Sequence, residues 1–376
     1  MSAAPHILIS AGEASGDRYA ACLATHLRRH FPDAEFFGCA GAEMRAAGVR
    51  PVVQAESLAV VGIAEVLAHL PRIYGEYRRL VREAHRRRPW FAVLTDSPDF
   101  HLRVARRLHG LAIPVFYLVA PQAWAWREGR VAQIRRNVKQ LHCIFPFEEE
   151  FFRARGVAAH YIGNPPARLV RATAAPAELR QAFGFHPEHP LVTLCPGSRQ
   201  GELDRHWPIL RDVVLMLARN SNLQFALALP PGPAAPSNLP PAVRLIEGRT
   251  WDALAAADVA LAASGTVATE AAVLGVPMLT FYKVAPATWV VGRPFVRVPF
   301  YTMVNLIAGR RVVPEMIQRD MSAGRLAAEA ERLLNDPAER ESQRRGLAEV
   351  AARLWTAHDP LERSAALIAA EMERMP

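Results

Sequence analysis

Asp258-Val-Ala-Leu-Ala-Ala-Ser-Gly-Thr-Val-Ala-Thr-Glu270, followed after one helical turn by Val276-Pro-Met-Leu-Thr-Phe281, reads as a buried strand, a glycine turn, a helix and a second strand. Unbroken apolarity before the turn suits a parallel strand covered on both faces. The first turn of such a helix offers free backbone N–H groups and the hydroxyls of Ser264 and Thr266, beside Gly265. Those N–H groups and the helix dipole favour a phosphate at that end. Glu270, one turn deeper, can accept hydrogen bonds from the two hydroxyls of a ribose, so a nucleoside diphosphate is the first ligand to consider. Read alone, the segment is equally an ordinary strand–turn–helix with a Ser/Thr cap.

Working outward, Leu191-Val-Thr-Leu-Cys-Pro-Gly-Ser-Arg-Gln-Gly-Glu202 is another apolar strand running into a Gly/Ser turn, and this turn carries Arg199. Two strand-end loops of one doubly wound domain can converge at the carboxyl edge of its sheet. A guanidinium there would hold phosphate through charge-assisted bonds contributing about 1.5–3 kcal/mol each. The plain alternative is a solvated loop arginine.

The first half has the same grammar. His6-Ile-Leu-Ile-Ser, Ala34-Glu-Phe-Phe-Gly, Trp90-Phe-Ala-Val-Leu-Thr, Val115-Phe-Tyr-Leu-Val and Leu141-His-Cys-Ile-Phe are short apolar runs separated by helical patterns. In the second half, Leu223–Leu229, Val243–Ile246 and Pro277–Tyr282 repeat the plan. The expected fold is α/β, with two doubly wound Rossmann-like domains whose parallel sheets face each other across a cleft. The expected boundaries are 1–166, 167–345, and C-terminal helices at 346–376, with packing back onto the first domain as one option.

A chain of 376 residues suits two domains of common size, and 51% hydrophobic with 22% charged residues is a globular composition. Cys22, Cys39, Cys143 and Cys195 lack CxxC spacing, which argues for reduced thiols in a cytoplasmic protein and against a zinc site. The N-terminal Met-Ser-Ala-Ala-Pro-His leads straight into a strand without a signal-peptide pattern. The uncharged, largely apolar run Gly110–Trp126 is broken by Pro114 and Pro121, so no spanning helix is expected. A net charge of +9 favours anionic partners without choosing among phosphosugars, nucleic acid and lipid headgroups.

The loop Ile9-Ser-Ala-Gly-Glu-Ala-Ser-Gly-Asp17 follows the first strand but is not GxGxxG. Glu13 and Asp17 put negative charge where a phosphate would otherwise bind, which suits sugar hydroxyls or an amine. The alternative is acidic stabilisation of a helix N-terminus, contributing about 0.3–1 kcal/mol. Thr95-Asp96-Ser97-Pro98-Asp99-Phe100 follows another strand. A carboxylate at the end of a central strand can have its pKa raised toward the range of a general base. Asp96 is the candidate base, with Asp99 the better helix cap. No Asp-x-Asp stands at a strand end, so no metal and no cofactor is expected; Arg199 and helix dipoles would meet the charge of a departing diphosphate.

Leu58-Ala-Val-Val-Gly-Ile-Ala-Glu-Val-Leu-Ala-His-Leu70 is mostly apolar and includes Val60, Val61, Ile63 and Leu67. The segment after it carries Arg72, Arg78, Arg79, Arg82, Arg86, Arg87 and Arg88, with apolar residues at helical spacing. Such a helix can rest on an anionic bilayer or be a solvated face packed on its own domain. The arginines lack interleaved exposed aromatics and any recognised module, so nucleic acid is not expected.

Taken in order, Ala11-Gly-Glu-Ala-Ser-Gly-Asp17, Leu58–Val66, Asp96-Ser-Pro-Asp-Phe100, Pro121-Gln-Ala-Trp-Ala-Trp-Arg127, Pro196-Gly-Ser-Arg199, Ser264–Glu270 and Asn305-Leu-Ile-Ala-Gly-Arg310 resemble the bacterial lipid-A-disaccharide synthases over nearly the whole chain. The resemblance implies a GT-B fold and an inverting transfer, which by the lack of a strand-end Asp-x-Asp is expected to be metal-independent. In it, UDP-2,3-diacylglucosamine and 2,3-diacylglucosamine 1-phosphate (lipid X) give a β-1,6-linked disaccharide and UDP. It implies Asp96 as base, Arg199, Ser264, Gly265, Thr266 and Glu270 on the UDP side, and Glu13, Ser15, Gly16, Asp17, Gln122 and Asn305 as substrate-binding residues. It also gives the 58–82 segment a role at the inner-membrane surface, with the enzyme cytoplasmic and peripheral; a homo-oligomer is compatible with it. Rival readings are an enzyme like UDP-N-acetylglucosamine 2-epimerase, or a non-catalytic basic protein that binds RNA or membrane. Two departures stand out: Asn164 where the family usually has His, and Ala120 where it usually has Ser. Asn hydrogen-bonds but does not titrate near neutrality.

Overall fold

Seven strands form the first sheet: β1 His6–Ser10, β2 Glu35–Ala40, β3 Arg50–Gln54, β4 Phe91–Thr95, β5 Val115–Leu118, β6 Gln140–Cys143 and β7 Ala159–Tyr161. All pair in parallel, in the order β3-β2-β1-β4-β5-β6-β7. Six more form the second: β8 Leu191–Cys195, β9 Gln224–Leu229, β10 Val243–Glu247, β11 Val259–Ala263, β12 Met278–Tyr282 and β13 Glu315–Ile317. They are again parallel, in the order β10-β9-β8-β11-β12-β13. The structure is a computed structural model that describes residues 5–57, 63–219, 222–296 and 298–375.

The chain divides into two compact units, one of Met1–Pro165 with Thr356–Pro376 and one of Pro166–Trp355. The helix Pro337–Leu354 runs unbroken across position 345, so the chain changes unit at Trp355 rather than there. The helix Pro360–Glu373 packs beside Ala14–His30, placing Leu361, Ala365 and Ile368 against Ile7, Ile9, Phe91 and Phe116.

Alternation along β1 shows why its apolarity is continuous. Ile7 and Ile9 enter the core under the helices Ala14–His30 and Pro360–Glu373. Leu8 enters the opposite core, under Ile63–Arg87, Pro98–His109 and Arg130–Asn137. Both faces of the strand are covered, and each such side chain contributes about 1.5–3 kcal/mol by leaving water. β3, β7 and β13, which the sequence reading does not find, are edge strands. β7 and β13 are three residues long, and β3 is mostly exposed, beginning with Arg50 and Pro51, so they carry too little apolar sequence to announce themselves.

In each sheet the strand order reverses at one place, between β1 and β4 and between β8 and β11. Connections there leave in opposite directions, which opens a crevice at the carboxyl ends of the strands. The 10–17 and 95–100 loops flank the first switch point, and the 195–200 and 263–266 loops flank the second.

Candidate functional site

Asp96 follows the last residue of β4 and takes the left-handed conformation, with φ +52°, as does Ser97 with φ +36°. Such conformations cost non-glycine residues on the order of 1–3 kcal/mol and persist only where surroundings over-determine them. Here the surroundings are explicit. The Asp96 carbonyl accepts from the Tyr117 hydroxyl at 2.6 Å and from His101 Nδ1 at 3.1 Å. That bond assigns the proton of the imidazole to Nδ1, so Nε2 accepts from the Ser10 hydroxyl at 2.8 Å. Ser10, His101 and Tyr117 are fully buried, and burial holds the His101 pKa down at about 4, keeping the ring neutral.

The Asp96 carboxylate accepts from the backbone N–H of Gly12 at 2.8 Å and of Glu13 at 3.2 Å. Its side chain is only 10% exposed. Burial pushes its pKa up to about 7, against the lowering effect of the Gly12, Ser97 and Glu13 hydrogen bonds, with the Glu13 charge adding to the rise. The close approach requires glycine on the facing helix. A Cβ on Gly16 would lie 1.6 Å from Asp96 Oδ2, and one on Gly12 would lie 2.4 Å from Ser97 Oγ. Glu13 and Ser15 are exposed beside this carboxylate.

Asp17 is placed differently from its sequence reading as a sugar-facing group. Only 4% exposed, it accepts from the backbone N–H of Gly41 at 2.7 Å, Glu43 at 2.8 Å and Met44 at 3.3 Å. Those groups start the helix Ala42–Ala46, so the carboxylate caps a neighbouring turn and is turned away from the loop. Gln122 is exposed at the start of the helix Ala123–Trp126 and makes no side-chain cap bond. Asp99 pairs with Arg127 and Arg130 on the surface. Ala120 is buried in the core below.

Asn164 is 2% exposed and donates to the Ile144 carbonyl at 3.2 Å. Glu148, absent from the sequence reading, is buried in the same turn. It accepts from the Trp124 indole at 3.0 Å and from the N–H groups of Ile144 and Phe145, and burial pushes its pKa up to about 7.

At the second switch point, Gly265 is extended and a Cβ there would meet nothing within 4 Å, so the glycine leaves open room beside the first turn of Thr266–Val273. Thr266 is exposed, and Ser264 donates to the Tyr301 carbonyl at 2.9 Å. Glu270 is half-buried; desolvation raises its pKa against a hydrogen bond from Trp251, a partner without any local sequence signal. Arg199 is 66% exposed and lies 3.7 Å from Glu202 Oε1. Glu202 also accepts from the Ser198 N–H at 3.1 Å and the Tyr282 hydroxyl at 3.2 Å, holding the loop around the left-handed Gly197.

Asn305, which the resemblance assigns to substrate binding, stands in the structure as an internal clip. It is fully buried, its oxygen accepts from Val312 N–H at 2.7 Å and Val313 N–H at 3.0 Å, and its amide donates to the Val313 carbonyl and Glu315. Every bond an Asn side chain can make is used within the protein. Glu315 in turn accepts from the N–H groups of Tyr301 and Thr302, so this clip holds the turn that meets Ser264.

Val60 and Val61 lie outside the described residues, as do the side chains of Ile63 and Leu67. The helix Ile63–Arg87 has its side chains described from Pro71 on, and Arg72, Arg78, Arg79 and Arg82 are exposed. The two helices that cover the same face of the sheet, Pro98–His109 and Arg130–Asn137, add exposed Arg103, Arg106, Arg107, Arg135 and Arg136. No helix among the described residues is long and apolar enough to cross a membrane, and no group of three or more His, Cys, Asp or Glu among them is arranged to hold a metal ion.

The model of the family described as lipid-A-disaccharide synthetase matches residues 7–368. The chain belongs to the lipid-A-disaccharide synthetase family. The lipid-A-disaccharide synthase of Solibacter usitatus is 55% identical over 359 residues, covering 93% of each chain. Among solved structures, the calicheamicin glycosyltransferase CalG4 has a TM-score of 0.60 at 16% identity, covering 99% of each chain. UDP-GlcNAc 2-epimerase from Neisseria meningitidis, bound to UDP-GlcNAc, has a TM-score of 0.60 at 12% identity, with 98% of this chain and 100% of that one covered. These structural likenesses establish the GT-B type of fold, which an epimerase and a glycosyltransferase share. Membership of the lipid-A-disaccharide synthetase family separates the two.

Proposed function

We infer that the chain transfers a glucosamine unit from UDP-2,3-diacylglucosamine to the 6-hydroxyl of 2,3-diacylglucosamine 1-phosphate, giving the β-1,6-linked lipid A disaccharide 1-phosphate and UDP. Membership of the family supports the reaction. The observation that carries the mechanism is Asp96, a carboxylate held at a switch point with a pKa near 7. A group of that strength is ionised in substantial part at neutral pH yet accepts a proton readily.

In this reading Asp96 takes the proton of the acceptor hydroxyl as that oxygen bonds to the anomeric carbon. The bond from that carbon to the diphosphate oxygen breaks, UDP leaves with the electron pair, and the configuration inverts. Glu13 and Ser15, exposed beside Asp96, and Gln122, exposed after β5, are the groups free to meet sugar hydroxyls. On the second unit, Arg199 and the N-terminus of Thr266–Val273 receive the diphosphate in the room beside Gly265, and Glu270 receives the ribose hydroxyls. We propose that these positive groups take the place of a divalent metal, so that a chelator leaves the rate unchanged.

The acylated substrates give the exposed arginines of Ile63–Arg87 and its two neighbouring helices a reason to exist: they hold the enzyme against an anionic inner-membrane surface on the cytoplasmic side. A titration with UDP tests the nucleotide half. Arg199→Ala and Glu270→Ala should each weaken UDP binding by about 10-fold or more, whereas undiminished binding in both would remove that site.

A further inference from the structure

We propose that Tyr117 and His101 are positioning residues for glycosyl transfer: by jointly holding the main-chain carbonyl of Asp96 they fix the direction in which its carboxylate points. The proposal rests on Asp96 as the base.

Side chains from two separate elements converge on one carbonyl oxygen, and a third element orients one of them. Tyr117 comes from β5, His101 from the first turns of Pro98–His109, and Ser10, which orients the imidazole, from β1. A carbonyl needs only one donor to be satisfied, and this one has two from side chains fully out of water. The carbonyl belongs to the residue with φ +52°, followed by another at φ +36°, and that backbone turn lays the carboxylate over Gly16 and beneath the N–H groups of Gly12 and Glu13. With one holder removed, the peptide after Asp96 is free to relax toward an ordinary conformation, and the carboxylate then leaves that pocket.

Relaxation has a signature that simple loss of stability lacks. The ionisable groups facing Asp96 are Glu13 at the start of Ala14–His30, Cys39 on β2, His101 and Tyr117. Burial holds Tyr117 un-ionised and His101 neutral, so replacing either removes no charge from the neighbourhood. A carboxylate that moves into water becomes a stronger acid and a weaker base, so the acidic limb of the rate profile moves to lower pH as kcat falls.

The experiment measures kcat, KM for each substrate and UDP affinity across about pH 5 to 9 for Tyr117→Phe, His101→Leu and His101→Asn. The Asn amide can stand in for Nδ1–H as donor to the Asp96 carbonyl. Expected are a roughly tenfold or greater fall in kcat for Tyr117→Phe and His101→Leu, unchanged UDP affinity, an acidic limb displaced downward by about one unit, and recovery of most of the rate in His101→Asn. The proposal is overturned by normal kcat in Tyr117→Phe, or by a fall in kcat that tracks the folded fraction with the limb unmoved. Tyr117→Phe deletes one oxygen and keeps the ring, so its folded fraction, read by circular dichroism, separates the two causes. Asp96→Ala is run alongside: full activity there would refute the base itself, while inactivity there with normal Tyr117→Phe would refute only the positioning.

Discussion

Oδ2 of Asp96 occupies the space that a side chain on Gly16 would fill, 1.6 Å from the position of its Cβ. The glycine in the first turn of Ala14–His30 is therefore a condition for the carboxylate to sit where it does. Gly16→Ala should displace that carboxylate and lower kcat by about 10²-fold, the usual consequence of moving a reacting group by an ångström. UDP affinity should not change, because the residues assigned to UDP lie in the other unit. Steady-state kinetics beside a UDP titration checks this, and wild-type kcat would show that Asp96 need not lie against Gly16.

Rate should follow the ionisation of Asp96. With a pKa near 7, the reactive carboxylate form declines about tenfold for each pH unit below that value and saturates above it. A rate profile flat from weakly acidic to alkaline pH would exclude this base.

Stability should run the other way. A carboxyl raised in the folded state contributes fully below its unfolded value of about 4, and that contribution is lost as pH rises through 7. Asp96→Asn keeps an oxygen to accept from the Gly12 N–H and carries no charge. It should match the wild type near pH 4 and exceed it near pH 8 by on the order of 1–4 kcal/mol. Denaturant titrations at the two pH values check this, and equal differences at both would contradict the burial argument.

Asn305→Ala leaves the buried N–H groups of Val312 and Val313 without their acceptor and should cost about 2–4 kcal/mol of stability. At temperatures where the variant remains folded, KM for both substrates should be unchanged. A large rise in KM with little thermal destabilisation would return Asn305 to the binding site.

Replacing Arg78, Arg79 and Arg82 together should weaken attachment to vesicles containing anionic lipid. Replacing Arg103, Arg106 and Arg107 as well should weaken it further, and added salt should do the same to the wild type. Vesicle flotation measures it; undiminished flotation of the combined variant would make this face a solvated one.

The central strands, both switch-point loops and Asp96 are legible in the sequence, because continuous apolar runs and the turns that end them are local signals. The edge strands β3, β7 and β13 are not, since little of each is buried. What surrounds Asp96 is equally hidden: Ser10 and His101 are 91 positions apart, and only the fold brings them together. The same holds for Asp17 and Asn305. Residue type and neighbourhood suggest ligand contact, and only the distant backbone groups they bond reveal a cap and a clip. Glu148 and Trp251 lie inside helical patterns where nothing local distinguishes a carboxylate under burial or an indole aimed at Glu270.

The most direct measurement follows purified protein, UDP-2,3-diacylglucosamine and 2,3-diacylglucosamine 1-phosphate by mass spectrometry. Disaccharide 1-phosphate and UDP should appear in equal amounts with the wild type, with the rate falling by about 10²–10⁴-fold in Asp96→Ala while UDP binding persists. Donor that is epimerised or hydrolysed without any disaccharide, or an Asp96→Ala variant that turns over normally, would contradict the account.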